Sequence, residues 1–131
     1  MIKRLTIVLL ALLPLLSLSS CSEKTYQSAY QYQITYWHSD SDDSLTEYAT
    51  VKAFYTAQGL TLDTTFYSSG DSYDANDALA IEEFQSAMLY ISDTQIEDLD
   101  LSVGVVYTLG LVSAYSTDGA EPLESFTYTQ Y

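Results

Sequence analysis

The stretch AYQYQITYWH, residues 29–38, alternates two sets of side chains along its length. One set of alternate positions holds Tyr30, Tyr32, Ile34 and Tyr36, and the other holds Gln31, Gln33, Thr35 and Trp37. A period of two, built from Tyr, Ile and Thr, predicts a half-buried β-strand. One apolar face needs a second layer to bury it, so this strand predicts a layered domain.

Similar patterns continue toward the C-terminus. Alternation predicts further strands over residues 60–67, 101–115 and 123–131. Apolar side chains at helical spacing predict helices over 44–58 and 75–91. The first stripe is Leu45, Tyr48, Val51, Phe54 and Tyr55, and the second is Ala78, Ile81, Phe84, Ala87, Met88 and Ile91.

The ends of these elements carry their own signals. Ser44 with Glu47 forms a candidate capping box, and Asp74 is a candidate cap of the second helix. Gly104 and Gly110 interrupt the third strand and indicate a bulge or a close approach there. The segment 92–100 fits either a loop or one more helical turn, and 116–122 has turn composition.

The element order β-α-β-α-β-β predicts an α+β fold. A strand–helix–strand unit favours a right-handed parallel crossover, and the last two strands favour an antiparallel hairpin. We therefore predict a two-layer sandwich, a mixed four-stranded sheet with two helices on one face. It forms a single domain over 29–131, preceded by a tether over 21–28.

The other sheet face is then open to solvent. Its predicted members are Gln31, Gln33, Thr35, Trp37, Thr61, Asp63, Thr65, Tyr67, Val106, Thr108, Thr127, Thr129 and Tyr131.

The N-terminus has the three parts of an export signal. Lys3 and Arg4 precede an apolar run over residues 5–16, and small residues follow it. The run is shorter than the ~20 apolar residues of a membrane-spanning helix. It ends in Leu18-Ser19-Ser20-Cys21, which resembles the lipobox of bacterial lipoproteins.

That resemblance implies a lipid anchor on Cys21. It implies a diacylglyceryl group on the sulfur, cleavage of the signal peptide 1–20, and acylation of the new amine. Each CH₂ of an acyl chain that enters the bilayer contributes about 0.8 kcal/mol to membrane binding. Two or three acyl chains therefore give a stable anchor, whereas one acyl chain binds only marginally. Ser22 stands where Asp would resemble an inner-membrane retention signal, which favours the outer membrane.

The charge of the chain excludes several partners. The formal net charge is −14, and loss of Lys3 and Arg4 with the leader makes it −16. Nucleic-acid binding needs many Lys and Arg side chains, and an anionic membrane surface repels an acidic domain. The predicted membrane partner is therefore reached through lipid on Cys21. Because Cys21 is the sole cysteine, no disulfide forms within the chain.

Catalytic and metal-binding patterns are weak. His38, the single histidine, is followed by Ser39 and Asp40, but adjacent residues rarely form a triad. Carboxylates cluster at Asp40, Asp42 and Asp43 and at Asp71, Asp74 and Asp77, yet neither cluster matches an EF-hand loop. We predict no catalytic residue, no metal site and no cofactor.

The strongest binding candidates are aromatic. Trp37, Tyr67 and Tyr131 among Thr and Gln suit stacking on a carbohydrate or protein ligand. The predicted function is a lipid-anchored cell-envelope protein, a non-enzymatic binding or scaffolding module. The alternatives are a small envelope hydrolase using His38 and loop carboxylates, and a calcium-dependent adhesin or assembly subunit.

Overall fold

A computed structural model describes residues 24–115 and 121–131 of the chain. The predicted signal peptide, Cys21 and residues 116–120 of the predicted turn lie outside them. The elements are β1 (Tyr26–His38), α1 (Ser44–Ala57), β2 (Phe66–Gly70), α2 (Tyr73–Leu89), α3 (Asp93–Glu97), β3 (Val106–Ser113) and β4 (Glu124–Thr129). The predicted α+β class and the order β-α-β-α-β-β are confirmed, and α3 lies within the ambiguous segment 92–100.

The four strands form one sheet in the order β2-β1-β3-β4, and every neighbouring pair is antiparallel. The predicted mixed sheet is therefore wrong. The chain leaving α1 runs parallel to β1 only at the isolated bridge between Leu62 and Tyr32. At Asp63 the backbone takes a positive φ of 59°. The ladder with β1 forms later, over Phe66–Gly70 instead of 60–67, and runs in the opposite direction.

β1 is longer than predicted. It begins at Tyr26, so three residues assigned to the tether 21–28 belong to the sheet. Its residues 26–30 pair with β2 and its residues 30–38 pair with β3. β1 is therefore a central strand of the sheet.

A β-bulge in β1 reverses the predicted alternation. Ile34 pairs with Leu109, but Tyr36 pairs with Thr108, which leaves Thr35 as the extra residue. Trp37 therefore shares a face with its partner Tyr107 on the helix side. Tyr36 takes the open face that the sequence pattern assigns to Trp37.

The two longer helices, α1 and α2, cover one face of the sheet, as predicted. On that face Tyr30 donates its hydroxyl hydrogen to Asp77 of α2 at 2.6 Å. The hydroxyls of Tyr55 on α1 and Tyr107 on β3 lie 2.7 Å apart, and both residues are buried. Burial raises the pKa of Tyr55 to about 12.

The core between the two layers is rich in aromatic side chains. Its buried members are Tyr30, Val51, Tyr55, Leu60, Leu62, Ala80, Phe84, Leu101, Val105, Tyr107, Leu109 and Leu111. Val51 and Tyr55 confirm the predicted stripe of α1, but Leu45 is exposed. Ala78 of the second predicted stripe is exposed, and Ala80 is buried instead.

The helix caps differ from those predicted. Ser44 is the first residue of α1, and its Oγ accepts a hydrogen bond from Trp37 Nε1 at 3.1 Å. Ser72 rather than Asp74 caps α2, because its side chain accepts from the amide of Ala75. A capping box is present at α3, between Ser92 and Gln95.

Gly104, before β3, and Gly110, within it, have different roles. Gly104 takes a positive φ of 90° in a turn before β3, so the strand begins at Val106 and Val103 is exposed. At Gly110 an added Cβ would lie 3.0 Å from Thr35 Cγ2 and 3.1 Å from Pro122 Cγ. The predicted close approach is confirmed at Gly110.

Across residues 24–115 and 121–131, none of the helices is both long enough and apolar enough to span a bilayer.

Candidate functional site

The three aromatic residues predicted to bind a ligand do not share a surface. Trp37 lies under α1, where its ring packs against Tyr48 and Tyr107. Tyr67 on β2 is 60% exposed, and Tyr131 beyond β4 is 94% exposed. β2 and β4 are the two outer strands, so about 14 Å of sheet separates them at ~4.8 Å per strand. An aromatic platform built from this trio does not form.

The open sheet face is a network of polar side chains. Gln33 Nε2 donates to Gln31 Oε1 at 2.7 Å, and Gln31 Nε2 donates to Thr65 Oγ1 at 2.9 Å. The hydroxyls of Thr108 and Thr127 lie 2.9 Å apart. These side chains largely satisfy one another's hydrogen-bonding groups, which is typical of a solvated face.

His38 is not part of a triad with its neighbours. Its Nε2 lies 3.4 Å from Asp40 Oδ1, with the two side chains 49% and 85% exposed. The Ser39 hydroxyl donates to Glu47 Oε1 at 3.0 Å instead. Nucleophile, base and orienting group are therefore not aligned.

The acidic clusters also have local explanations. Asp77 accepts a hydrogen bond from Tyr30, and Asp74 lies in the first turn of α2, where a negative charge is favourable. Among the side chains that the structure describes, no group of three or more His, Cys, Asp or Glu is placed to hold a metal ion.

A recess runs along β4, and we call it the β4 groove. One section, of about 520 Å³, is lined by Phe84, Gln85, Met88, Leu89, Glu124, Ser125 and Phe126. The other, of about 400 Å³, is lined by Asp93, Glu97, Phe126, Thr127, Tyr128, Thr129, Gln130 and Tyr131. The two sections meet at Phe126, so α2 and α3 flank one continuous edge strand.

Local sequence explains why two acidic residues border this groove. The capping box at Ser92 starts α3 soon after α2 ends at Leu89. Ile96 is buried and anchors α3 to the core. Asp93 and Glu97 are exposed and line the recess beside β4.

The outer edge of β4 presents backbone groups that no described strand pairs with. Gln130 N donates to Val105 O at 2.8 Å, and the register runs one to one from Thr129–Val106 to Glu124–Leu111. Hydrogen-bonded and non-hydrogen-bonded pairs alternate in an antiparallel ladder. The backbone N–H and C=O groups of Thr127 and Thr129 therefore point away from β3, toward the edge.

Ser125 follows the same alternation, but its amide is already engaged. It donates to Glu124 Oε1 at 3.1 Å, while the other oxygen of Glu124 accepts from Gln85 at 2.7 Å. The open stretch of edge therefore begins at Thr127.

The groove is electronegative. Asp93, Glu97 and Glu124 line it, and none of the described lining residues is Lys, Arg or His. Burial raises the pKa of the Tyr128 hydroxyl, and the charges of Glu97 and Asp93 raise it further. The negative charges of α3 therefore influence the ionisation of Tyr128, a side chain that lines the groove.

Of the three predicted ligand-binding residues, Tyr131 lines this groove, but sequence reasoning missed the site itself. The alternation in 123–131 and the acidic segment 92–100 are both visible in the sequence. Neither pattern says that the last strand is an edge strand or that the acidic segment lies beside it.

Comparisons with protein-family models, curated proteins and solved structures found no match to this chain.

Proposed function

We propose that the protein is a lipid-anchored bacterial cell-envelope protein whose domain acts by binding a partner. The observation that carries the anchor is the motif Leu18-Ser19-Ser20-Cys21 at the end of an apolar run with a basic start. The resemblance to a lipobox supports lipid on Cys21, and Ser22 favours the outer membrane.

The binding role is supported by the β4 groove. It combines apolar side chains, carboxylates and, along one edge strand, backbone groups that lack a partner strand among the described residues. Recognition sites typically combine these features, since apolar area gives affinity and placed polar groups give orientation.

The anchor is tested by expressing the full chain and Cys21→Ala in a bacterium fed an alkyne-labelled fatty acid. We expect the label on the wild-type protein and its loss in the variant. The wild type should sediment with membranes and the variant should stay in the released fraction, because acyl chains supply the attachment.

Two neighbouring variants are matched controls. Ser22→Ala should keep both the label and the membrane fraction, and Ser22→Asp should move the protein from the outer to the inner membrane. A Cys21→Ala protein that remains labelled and membrane-bound would overturn the anchor. A Ser22→Asp protein that stays in the outer membrane would overturn the basis for its location.

A further inference from the structure

We propose that the β4 groove binds an extended, positively charged polypeptide segment, which pairs with β4 as a fifth strand of the sheet. This inference rests on the binding role proposed above and names its site and the chemical class of its ligand.

The backbone of β4 supplies the pairing. Thr127 and Thr129 direct their N–H and C=O groups to an edge that no described strand occupies. An extended segment satisfies such groups by adding a strand, and its main-chain hydrogen bonds are independent of sequence. The lining from Glu124 to Tyr131 spans about eight residues, or ~27 Å at 3.4 Å per residue.

The two faces of the added strand meet different surroundings. Alternate side chains would point toward the helix layer, where Phe84, Met88 and Phe126 line the groove. The side chains between them would continue the open, threonine-rich face, which carries the paired hydroxyls of Thr108 and Thr127. Asp93, Glu97 and Glu124 border the groove on this same helix side, so the site favours a segment whose helix-facing positions carry both apolar and cationic side chains.

The charges of the groove select a cationic segment. Asp93 and Glu97 border one section and Glu124 borders the other, and the whole chain carries a formal net charge of −14. A segment with Lys or Arg is attracted by these carboxylates and by the overall field. A second copy of this chain would bring the same carboxylates and the same net charge to the interface, so self-pairing through β4 is disfavoured.

The test uses the full lipidated protein in uncharged detergent and a fluorescent octapeptide, the Lys-Val peptide. Every second residue of this peptide is Thr, and the residues between are Val and Lys in turn, so that Val and Lys share one face. Two control peptides have the same length: the Glu-Val peptide carries Glu in place of each Lys, and the other carries N-methyl groups on alternate residues of the Lys-Val peptide. Fluorescence anisotropy should show binding of the first peptide alone, and the affinity should fall as NaCl is raised.

A pair of matched double variants assigns the charge dependence. Asp93→Asn with Glu97→Gln removes two groove carboxylates and should weaken binding by about three- to tenfold. Asp71→Asn with Glu83→Gln removes the same charge elsewhere, beyond the opposite edge strand and on the part of α2 near Tyr32. That control pair should change affinity by less than about twofold.

Residue-resolved hydrogen exchange identifies the strand addition. The bound Lys-Val peptide should slow exchange at the amides of Thr127 and Thr129 by at least about tenfold. The amides of Phe126 and Tyr128 already face β3 and should change little. This alternation is not expected if the peptide only adheres to an acidic surface.

Several outcomes would overturn the proposal. They are equal binding of the Glu-Val or N-methylated peptide, equal weakening by both double variants, and protection without the alternation. If the amides of Thr127 and Thr129 exchange more slowly as the concentration of the free protein is raised, a second copy of the chain occupies the edge instead. Weakening by the control pair alone would keep the binding role but reject this site. Absence of binding by the Lys-Val peptide would overturn the proposal and leave the lipid anchor untouched.

Discussion

At the scale of single residues, Glu47 joins the start of α1 to the turn before β3. Its Oε2 accepts from the backbone amide of Ser102 at 2.6 Å, and its Oε1 accepts from the Ser39 hydroxyl at 3.0 Å. The hydrogen bond from Ser102 is the largest influence and lowers the pKa of the carboxyl, while burial opposes it. The capping-box role predicted for Glu47 is wrong, because the carboxylate turns to a partner 55 positions away.

We predict that Glu47→Gln lowers the free energy of unfolding at pH 7 by about 1.5–3 kcal/mol, since charged hydrogen bonds are lost. The pKa is lower in the folded state than its usual value of 4.5, so this contribution is complete above that pH. It disappears as the pH falls through the folded pKa. Urea unfolding of both proteins at several pH values should show their difference shrinking in acid.

Glu82→Gln is the control for this experiment, because Glu82 is exposed on α2. Its effect should stay within about 0.5 kcal/mol. A Glu47→Gln effect that is equally small, or that grows in acid, would contradict the role assigned to Glu47.

At the scale of elements, the bulge at Thr35 decides which aromatic side chains enter the core. With Thr35 as the extra residue, Ile34 and Trp37 both face the helices although three positions separate them. Strict alternation would place them on opposite faces. The bulge thus accounts for the misplacement of Trp37 in the sequence-based prediction.

We predict that deleting Thr35 keeps the protein folded, because Ile34, Tyr36 and Trp37 then alternate regularly in the same register. Trp37 is the single tryptophan, so its fluorescence reports its own environment. The emission maximum should remain that of a packed indole, and the free energy of unfolding should change by less than about 1.5 kcal/mol.

Deleting Gln33 is the matched control. It removes a residue from the regular ladder and turns Ile34 to the open face, with Thr35 in its place. Loss of the half-buried Ile34 side chain from the helix side, with Thr35 in its place, should cost about 2–3 kcal/mol. If the Thr35 deletion were the more damaging of the two, or exposed Trp37, the bulge would have another role.

At the scale of the whole molecule, the excess of negative charge affects both stability and the choice of ligand. Acidic residues number 18 against 4 Lys and Arg, and one of those four, Lys52, forms an ion pair with Asp63 at 2.7 Å. Like charges repel within a compact domain and reduce its stability. The same field favours the cationic ligand proposed for the β4 groove.

We predict that the melting temperature rises by a few degrees between about 10 mM and 150 mM NaCl, because the Debye length falls from ~30 Å to ~8 Å. Circular dichroism melts measure this change. At matched ionic strength, CaCl₂ and MgCl₂ should give equal shifts. A fall with NaCl would contradict net repulsion, and a larger shift with calcium alone would favour the calcium-dependent alternative.

The amino-acid sequence by itself determined the α+β class, the order of the main elements and the side of the sheet that the helices cover. These follow from local periods of two and 3.6, which each segment carries within itself. Its lipobox motif likewise predicts an anchor through residues that are adjacent in the chain.

Only the tertiary structure decided the antiparallel sheet, the bulge that turns Trp37 toward the helices and the outer position of β4. Each depends on which distant strand a segment pairs with and in which register. Local pattern does not encode that choice, because parallel and antiparallel partners present the same alternation. The β4 groove shows the consequence, since an acidic segment and an alternating strand form a site only when folding places them side by side.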